Sequence, residues 1–126
     1  MILVDTSIWI DHLRRADPDL VALLDHGDVT THPMVIGELA LGSLHDRRAV
    51  LALLGNLVTT EIATHIEVLS FVESERLYNR GISLVDAHLL AAVRLTPTCR
   101  LWTRDKRLGA TARDLQVGWV PTSRLW

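Results

Sequence analysis

Four acidic residues stand where a carboxylate is either expensive to keep or well placed to act. Asp5 directly follows "ILV" (2–4), and Asp105 follows "LWTR" (101–104). Asp86 lies in "ISLVDAHLLAAV" (82–93), with Leu89, Leu90 and Val93 three, four and seven residues further on. That spacing puts it on the apolar stripe of a helix, where a lone charge is costly to bury. Glu38 sits in "PMVIGELALG" (33–42), with Met34 and Val35 before it and Leu41 after it, and reads the same way. Each acid alone has a local explanation. Asp5 ends a strand, Asp105 is a good helix N-cap, and Ser83 and Asp86 have the spacing of a capping box. Glu38 has the option of pairing with an arginine across a helix interface. Convergence of all four on one pocket accounts for them together.

Such a pocket has definite chemistry. Two carboxylates ~4 Å apart repel by about 4 kcal/mol at an effective dielectric near 20. Four share a pocket only if cations join them or protons neutralise some of them. Oxygen donors select hard ions, Mg²⁺ or Mn²⁺. A carboxylate-held divalent ion acidifies bound water and offsets charge building on a phosphodiester. Zinc is disfavoured, because the six histidines show none of its usual ligand spacings. His88 is two residues from Asp86, hence about 200° round the helix and pointing elsewhere. Arg104, Lys106 and Arg107, beside Asp105, are candidates to grip a nucleic-acid backbone.

The elements that position these residues read as alternating strands and helices. "ILV" is a short apolar strand of the buried parallel kind. Thr6 or Ser7 caps a helix to about Arg15. Asp17, Pro18 and Gly27 mark the cap, first turn and stop of the next. Strands are expected over 28–32, 57–61, 99–103 and, from "VGWV", 117–120. Pro33 opens a helix that ends near Gly42, and another covers "DRRAVLALLGN". "THIE" (64–67) is a capping box that starts a helix expected to reach Arg80, with Gly81 as its stop. Ser83 caps the helix of Asp86, which Pro97 ends, and a last helix starts at Asp105. This alternation predicts an α/β fold with a parallel sheet, whose ligands bind beyond the carboxyl ends of the strands. Asp5 and Asp105 lie at that edge.

Composition bounds the reading. The 126 residues suit a single domain, taken as 1–126. Hydrophobic residues at 48% suffice for a core, and 22% charged residues are ordinary for a globular chain. The apolar runs are too short to span a bilayer, so no membrane contact is expected. "MILVDTSIWIDHLRR" has no basic segment ahead of its apolar residues and no small-residue cleavage site. With one cysteine, Cys99, no intrachain disulfide is possible, and a reduced, cytoplasmic setting is expected. A net charge of −2 excludes coating of nucleic acid through bulk positive charge, but not local grip on a few phosphates. Arg14 and Arg15, and Arg47 and Arg48, are left open between solvated faces and local grip on phosphates. Trp9, Trp102 and Trp119 are read as packing residues. Trp126 is left open between stacking on a nucleic-acid base and a dimer or partner contact.

At this point the sequence resembles a known family. "ILVDTSIWI", "PMVIGELALG", "GISLVDAHLLAA" and "LWTRDKRL" look, in order and spacing, like the four acidic motifs of PIN-domain ribonucleases. More narrowly, the chain resembles the VapC toxins of bacterial VapBC toxin–antitoxin modules. The resemblance implies a central, mostly parallel sheet of about five short strands flanked by helices. It implies Mg²⁺- or Mn²⁺-dependent endoribonuclease activity on RNA. Asp5 and Asp86 would be the principal metal ligands, with Glu38 and Asp105 assisting directly or through water. Thr6, Ser7 and Thr103 match hydroxyl positions that orient ligands or water. A homodimer and a VapB-type antitoxin are implied too, the antitoxin placing an arginine in the acidic pocket, where its charge offsets the acids and excludes metal.

Three other readings compete. A different phosphohydrolase or phosphoacceptor domain would want an Asp-x-Asp after the first strand, or paired early acids with a late lysine; here Thr6 and Ser7 follow Asp5. The same metal chemistry serves a DNA nuclease. A non-enzymatic module would use the acids only to receive a basic partner.

Overall fold

The computed structural model describes residues 1–122, so Trp126 lies outside the described residues. Eleven elements are assigned among them. They are β1 (Ile2–Val4), α1 (Thr6–Arg14), α2 (Pro18–Asp25), β2 (Val29–Thr31), α3 (Pro33–Leu41), α4 (Arg47–Gly55), β3 (Val58–Thr59), α5 (His65–Glu75), α6 (Leu84–Leu95), β4 (Arg100–Trp102) and α7 (Lys106–Asp114).

All pairings in the sheet are parallel, in the order β3-β2-β1-β4. The central strand β1 is buried on both faces, as its unbroken apolar sequence requires. In register, Val4 stands beside Trp102, so the residues that follow, Asp5 and Thr103, leave the sheet side by side. The expected fifth strand shrinks to one parallel bridge, Leu101 with Gly118. Gln116 turns the chain at φ 61° just before it. Pro121, soon after, has no N–H to extend a ladder.

The helices pack α1 on α3, α3 on α4 and α6, and α5 on α6. Ala87 to Val93 of α6 are all buried, so this helix is wrapped by the core rather than laid on it. Its two ends emerge: at the first turn Leu84 is exposed and Asp86 half-buried, and at the last Arg94 and Leu95 are exposed. The core joins Leu3 and Val4 to Ile8, Leu20, Leu54, Leu89, Leu90, Leu101 and Leu108.

One helix ends earlier than its sequence suggests. α5 stops at Glu75, five residues short of Arg80, because Arg76 adopts the left-handed conformation (φ 55°). The N–H of Leu77 then donates to the carbonyl of Val72 at 2.9 Å, and Leu77 is buried. This is the Schellman ending, with an apolar residue just past the helix closing it; the buried contact outweighs the lack of glycine at Arg76.

Candidate active site

Asp5 is the centre of a hydroxyl network. It is the N-cap of α1, buried, with its own N–H donating to the carbonyl of Trp102 at 3.0 Å. Its Oδ2 accepts from Ser7 Oγ and from Thr103 Oγ1, both at 2.7 Å. Ser7 Oγ in turn accepts from the N–H of Arg104 at 3.1 Å, and Thr103 Oγ1 from the N–H of Asp105 at 3.1 Å. The β4–α7 loop is thereby tied through two hydroxyls to one oxygen of Asp5. Among the described residues no hydrogen bond reaches Oδ1, which stays available to a ligand.

Asp105 caps α7 through Oδ1, which accepts from Leu108 N–H at 2.9 Å, and its side chain is exposed. Asp86 completes a capping box: its Oδ2 accepts from Ser83 N–H at 3.0 Å, and Ser83 Oγ accepts from Asp86 N–H at 3.1 Å. The local roles anticipated for both acids are therefore real. For Asp86 they are not the whole account. Burial pushes its carboxyl above the usual range, the charges of Asp5 and Asp105 push it further, and the hydrogen bonds from Ser83 do not offset them. Asp86 thus lies close enough to Asp5 and Asp105, at the carboxyl end of the sheet, to feel the charge of both.

Glu38 departs from its expected setting. α3 buries Val35 and Leu39, while Met34 is 37% exposed and Leu41 91% exposed. Met34 and Leu41 therefore do not mark the core face, and Glu38 lies on the exposed side of the helix. It still leans toward the acids: its Oε1 accepts from Thr6 Oγ1 at 2.7 Å, one residue from Asp5. No arginine pairs with it among the described residues.

The three cations near Asp105 separate. Arg104 is committed inward. Its guanidinium donates to Asp11 Oδ2 at 2.6 Å and to Asp17 Oδ2, and lies 5.8 Å from the Trp102 ring centre. Burial favours raising Asp17, yet Arg104 and the N–H groups of Leu20 and Asp19 hold its carboxyl below the usual range. Arg104 is therefore taken up in bracing α1 and α2 against the β4–α7 loop, not presented for backbone grip. Sequence alone does not signal this, since Asp11 and Asp17 are some 90 positions away. Lys106 and Arg107 make no ion pair among the described residues. Arg107 lies over Gly81, whose missing Cβ would stand 2.6 Å from Nη1 and whose φ is +74°. Glycine there admits both the turn into α6 and the arginine.

Sequence reasoning also missed His32. It is buried and caps α3, its Nδ1 accepting from Met34 N–H at 3.0 Å. His88 is buried as well, stacked on His65 with ring centres 6.2 Å apart, away from the acids.

The donor set suits a hard divalent ion. It is all oxygen, carries mutual repulsion that a cation relieves, and retains an unengaged oxygen on Asp5. Among the described residues no group of three or more histidine, cysteine, aspartate or glutamate side chains is placed to hold a metal ion. Mg²⁺ does not need such a group, because it usually takes one or two carboxylates and keeps waters for the remainder.

The PIN-domain family model matches residues 2–114. The chain is a PIN domain. Ribonuclease VapC32 of Mycobacterium tuberculosis, in strains CDC 1551 / Oshkosh and ATCC 25618 / H37Rv, is 54% identical to it over 117 residues, covering 93% of this chain and 94% of the relative. The chain therefore belongs to the VapC group of PIN-domain proteins. FitAcB from Neisseria gonorrhoeae shares the fold, with a TM-score of 0.64 at 22% identity over 99% of this PIN domain and 100% of that chain. FitAB bound to an IR36 DNA fragment shares it at a TM-score of 0.57 and 18% identity, covering 90% and 91%. Among the described residues, no helix of this PIN domain is long and apolar enough to cross a membrane.

Proposed function

We propose that this PIN domain is a divalent-metal-dependent endoribonuclease, the toxin of a type II toxin–antitoxin module, neutralised by a VapB-type antitoxin. The observation that carries the reading is Asp86, half-buried with its carboxyl pushed upward by burial and by the charges of Asp5 and Asp105, with no guanidinium or ammonium among the described residues in ion-pair contact with any of the three. A fold keeps such a cluster when an external cation completes it. The name Ribonuclease VapC32, at 54% identity over nearly the whole chain, supports RNA as substrate.

Asp5 and Asp86 are the principal ligands in this reading, and Mg²⁺ or Mn²⁺ the ion. Bound there, the ion supplies a nucleophile from water and neutralises charge on the scissile phosphate. Ser7 and Thr103 hold Asp5 Oδ2, which fixes the direction of Oδ1. Thr6 holds Glu38 at the rim, where Glu38 and Asp105 order water. Lys106 and Arg107 contact the phosphate backbone on either side of the cut. Activity as a homodimer in the cytoplasm belongs to the same reading. An arginine from the antitoxin, placed among the acids, would satisfy the repulsion that the ion otherwise relieves.

The test is cleavage of end-labelled single-stranded RNA and DNA by the purified chain. Internal RNA cleavage that EDTA abolishes and Mg²⁺ or Mn²⁺ restores, with DNA left intact, is the expected result. Cleavage indifferent to EDTA, or none with any divalent ion, overturns it; cutting of DNA alone selects the DNA nuclease.

A further inference from the structure

A groove of about 740 Å³ opens from the rim of the acidic site, where Thr103 and Asp105 line its upper end, and runs along α7 as far as Gln116. The nine residues of α7 (Lys106–Asp114) rise about 14 Å at 1.5 Å per residue. The other wall is the segment Gly118 to Val120. Gly118 lets this wall pack closely on α7: a Cβ there would stand 3.4 Å from the backbone nitrogen of Arg113.

Its charge is unlike that of the whole molecule. The chain carries −2 overall, yet the groove is lined by Arg100, Lys106 and Arg113 in addition to the committed Arg104, against one acid, Asp105. Arg100, Lys106 and Arg113 are exposed and make no ion pair among the described residues. Trp119 lines the same groove half-buried, its ring held edge-on by Trp102 at 5.2 Å between centres. A row of unpaired cations with a braced aromatic ring suits single-stranded nucleic acid, whose phosphates follow the charge and whose bases stack.

We infer that this groove carries the RNA strand on one side of the scissile phosphate, with Arg100 and Arg113 as backbone contacts remote from the chemistry. The inference rests on the ribonuclease reading and adds to it where the substrate lies. It also shows how a chain of net negative charge could hold a polyanion: cations gather locally along a channel that reaches the acids.

The test compares Arg100→Gln/Arg113→Gln with Arg47→Gln/Arg48→Gln, which removes the same charge from α4 outside the groove. Binding of a labelled mixed-sequence single-stranded RNA is measured across salt concentrations in an Asp86→Asn background, and steady-state cleavage in the otherwise native chain. The groove variant should bind with a salt slope shallower by about 1.4, two phosphate contacts at about 0.7 each for a single strand. Its KM should rise with kcat unchanged, while the α4 variant keeps the native slope and KM. Equal slopes in the native chain and the groove variant overturn the inference. So does a groove variant that cuts RNA normally but escapes the antitoxin, which would make the channel a protein-docking surface. If the native chain neither binds nor cuts RNA, the ribonuclease reading fails and takes this one with it; native cleavage with an unmoved slope removes only the groove.

Discussion

Two helices of this PIN domain begin with the same device and pay for it differently. At α5, Thr64 accepts from the N–H of Glu67, and Glu67 accepts from the N–H of Thr64. At α6, Ser83 and Asp86 make the same reciprocal pair. Hydrogen bonds to a capping carboxylate favour its charged form, and those from Thr64 hold Glu67 below its usual range. Asp86 has the same kind of bonds and is displaced the other way, first by burial and then by Asp5 and Asp105. Capping accounts for the carboxylate at Glu67, which is exposed. At Asp86 capping leaves an electrostatic cost unexplained, which the proposed metal-binding role would account for.

Replacing each acid by its amide separates the roles. Asp86→Asn keeps an oxygen to accept from Ser83 and removes the charge. Its cleavage rate should fall about a thousandfold, about 4 kcal/mol of transition-state stabilisation. Its folding stability should hold or rise: a carboxyl raised in the folded state binds protons more readily than in the unfolded chain, so its ionised form opposes folding above the unfolded value. Glu67→Gln should do the reverse, keeping full activity with a small loss of stability, since a carboxyl lowered in the folded state favours folding when ionised. Turnover near the native level in folded Asp86→Asn, or lost turnover in Glu67→Gln, would erase the contrast.

A third helix start sharpens it with pH. α3 is capped by an imidazole, and Nδ1 of His32 accepts from Met34 only when unprotonated. Burial, with His88 as a secondary influence, lowers His32 to about 4. Between the unfolded value near 6.5 and about 4, the unfolded chain binds the proton and the folded chain refuses it. Stability should therefore fall as pH drops through that window, on the order of 3 kcal/mol when complete. His12 and His88, also lowered by burial, add in the same direction. Urea unfolding across the window, native against His32→Asn, measures the His32 share. Asparagine keeps an acceptor at the cap and does not titrate, so the pH dependence should flatten. An unchanged slope would mean that other groups carry it.

What the sequence disclosed follows a physical line. Several helix starts were readable because caps are local: Asp17 before Pro18, Thr64 with Glu67 and Ser83 with Asp86 all cap as expected, whereas α1 is capped by Asp5 one residue ahead of the expected Thr6 or Ser7. The buried strands were readable because a central parallel strand such as Ile2–Val4 has no polar face. Ends were harder. Arg76 closes α5 without glycine, through the burial of Leu77, and no local pattern announces that. For the acids, position after a strand placed Asp5 and Asp105 correctly at the sheet's carboxyl edge. The α3 stripe misled at Glu38, because Met34 and Leu41 are apolar yet exposed. Arg104 was misjudged for a different reason: an ion pair spanning 87 positions is a property of the fold and leaves no mark on the residues beside it.

The smallest effect discriminates between the two boxes from the hydroxyl side. Thr64→Ala and Ser83→Ala each leave one helix N–H without its side-chain acceptor, and each should lower stability by about 1 kcal/mol. Their effects on catalysis should differ. Thr64 holds Glu67 at the surface, so its loss should not alter the rate. Ser83 fixes the first turn from which Asp86 reaches toward Asp5 and Asp105, and its N–H is the donor that orients Oδ2. In the proposed reading, fraying that turn loosens a metal ligand without removing it. Ser83→Ala should therefore need more Mg²⁺ for half-maximal activity, and excess metal should restore the rate. Thermal melts and metal titrations of the two variants side by side read both quantities. Matching metal dependence in the pair would mean that Ser83 only caps its helix, as Thr64 does.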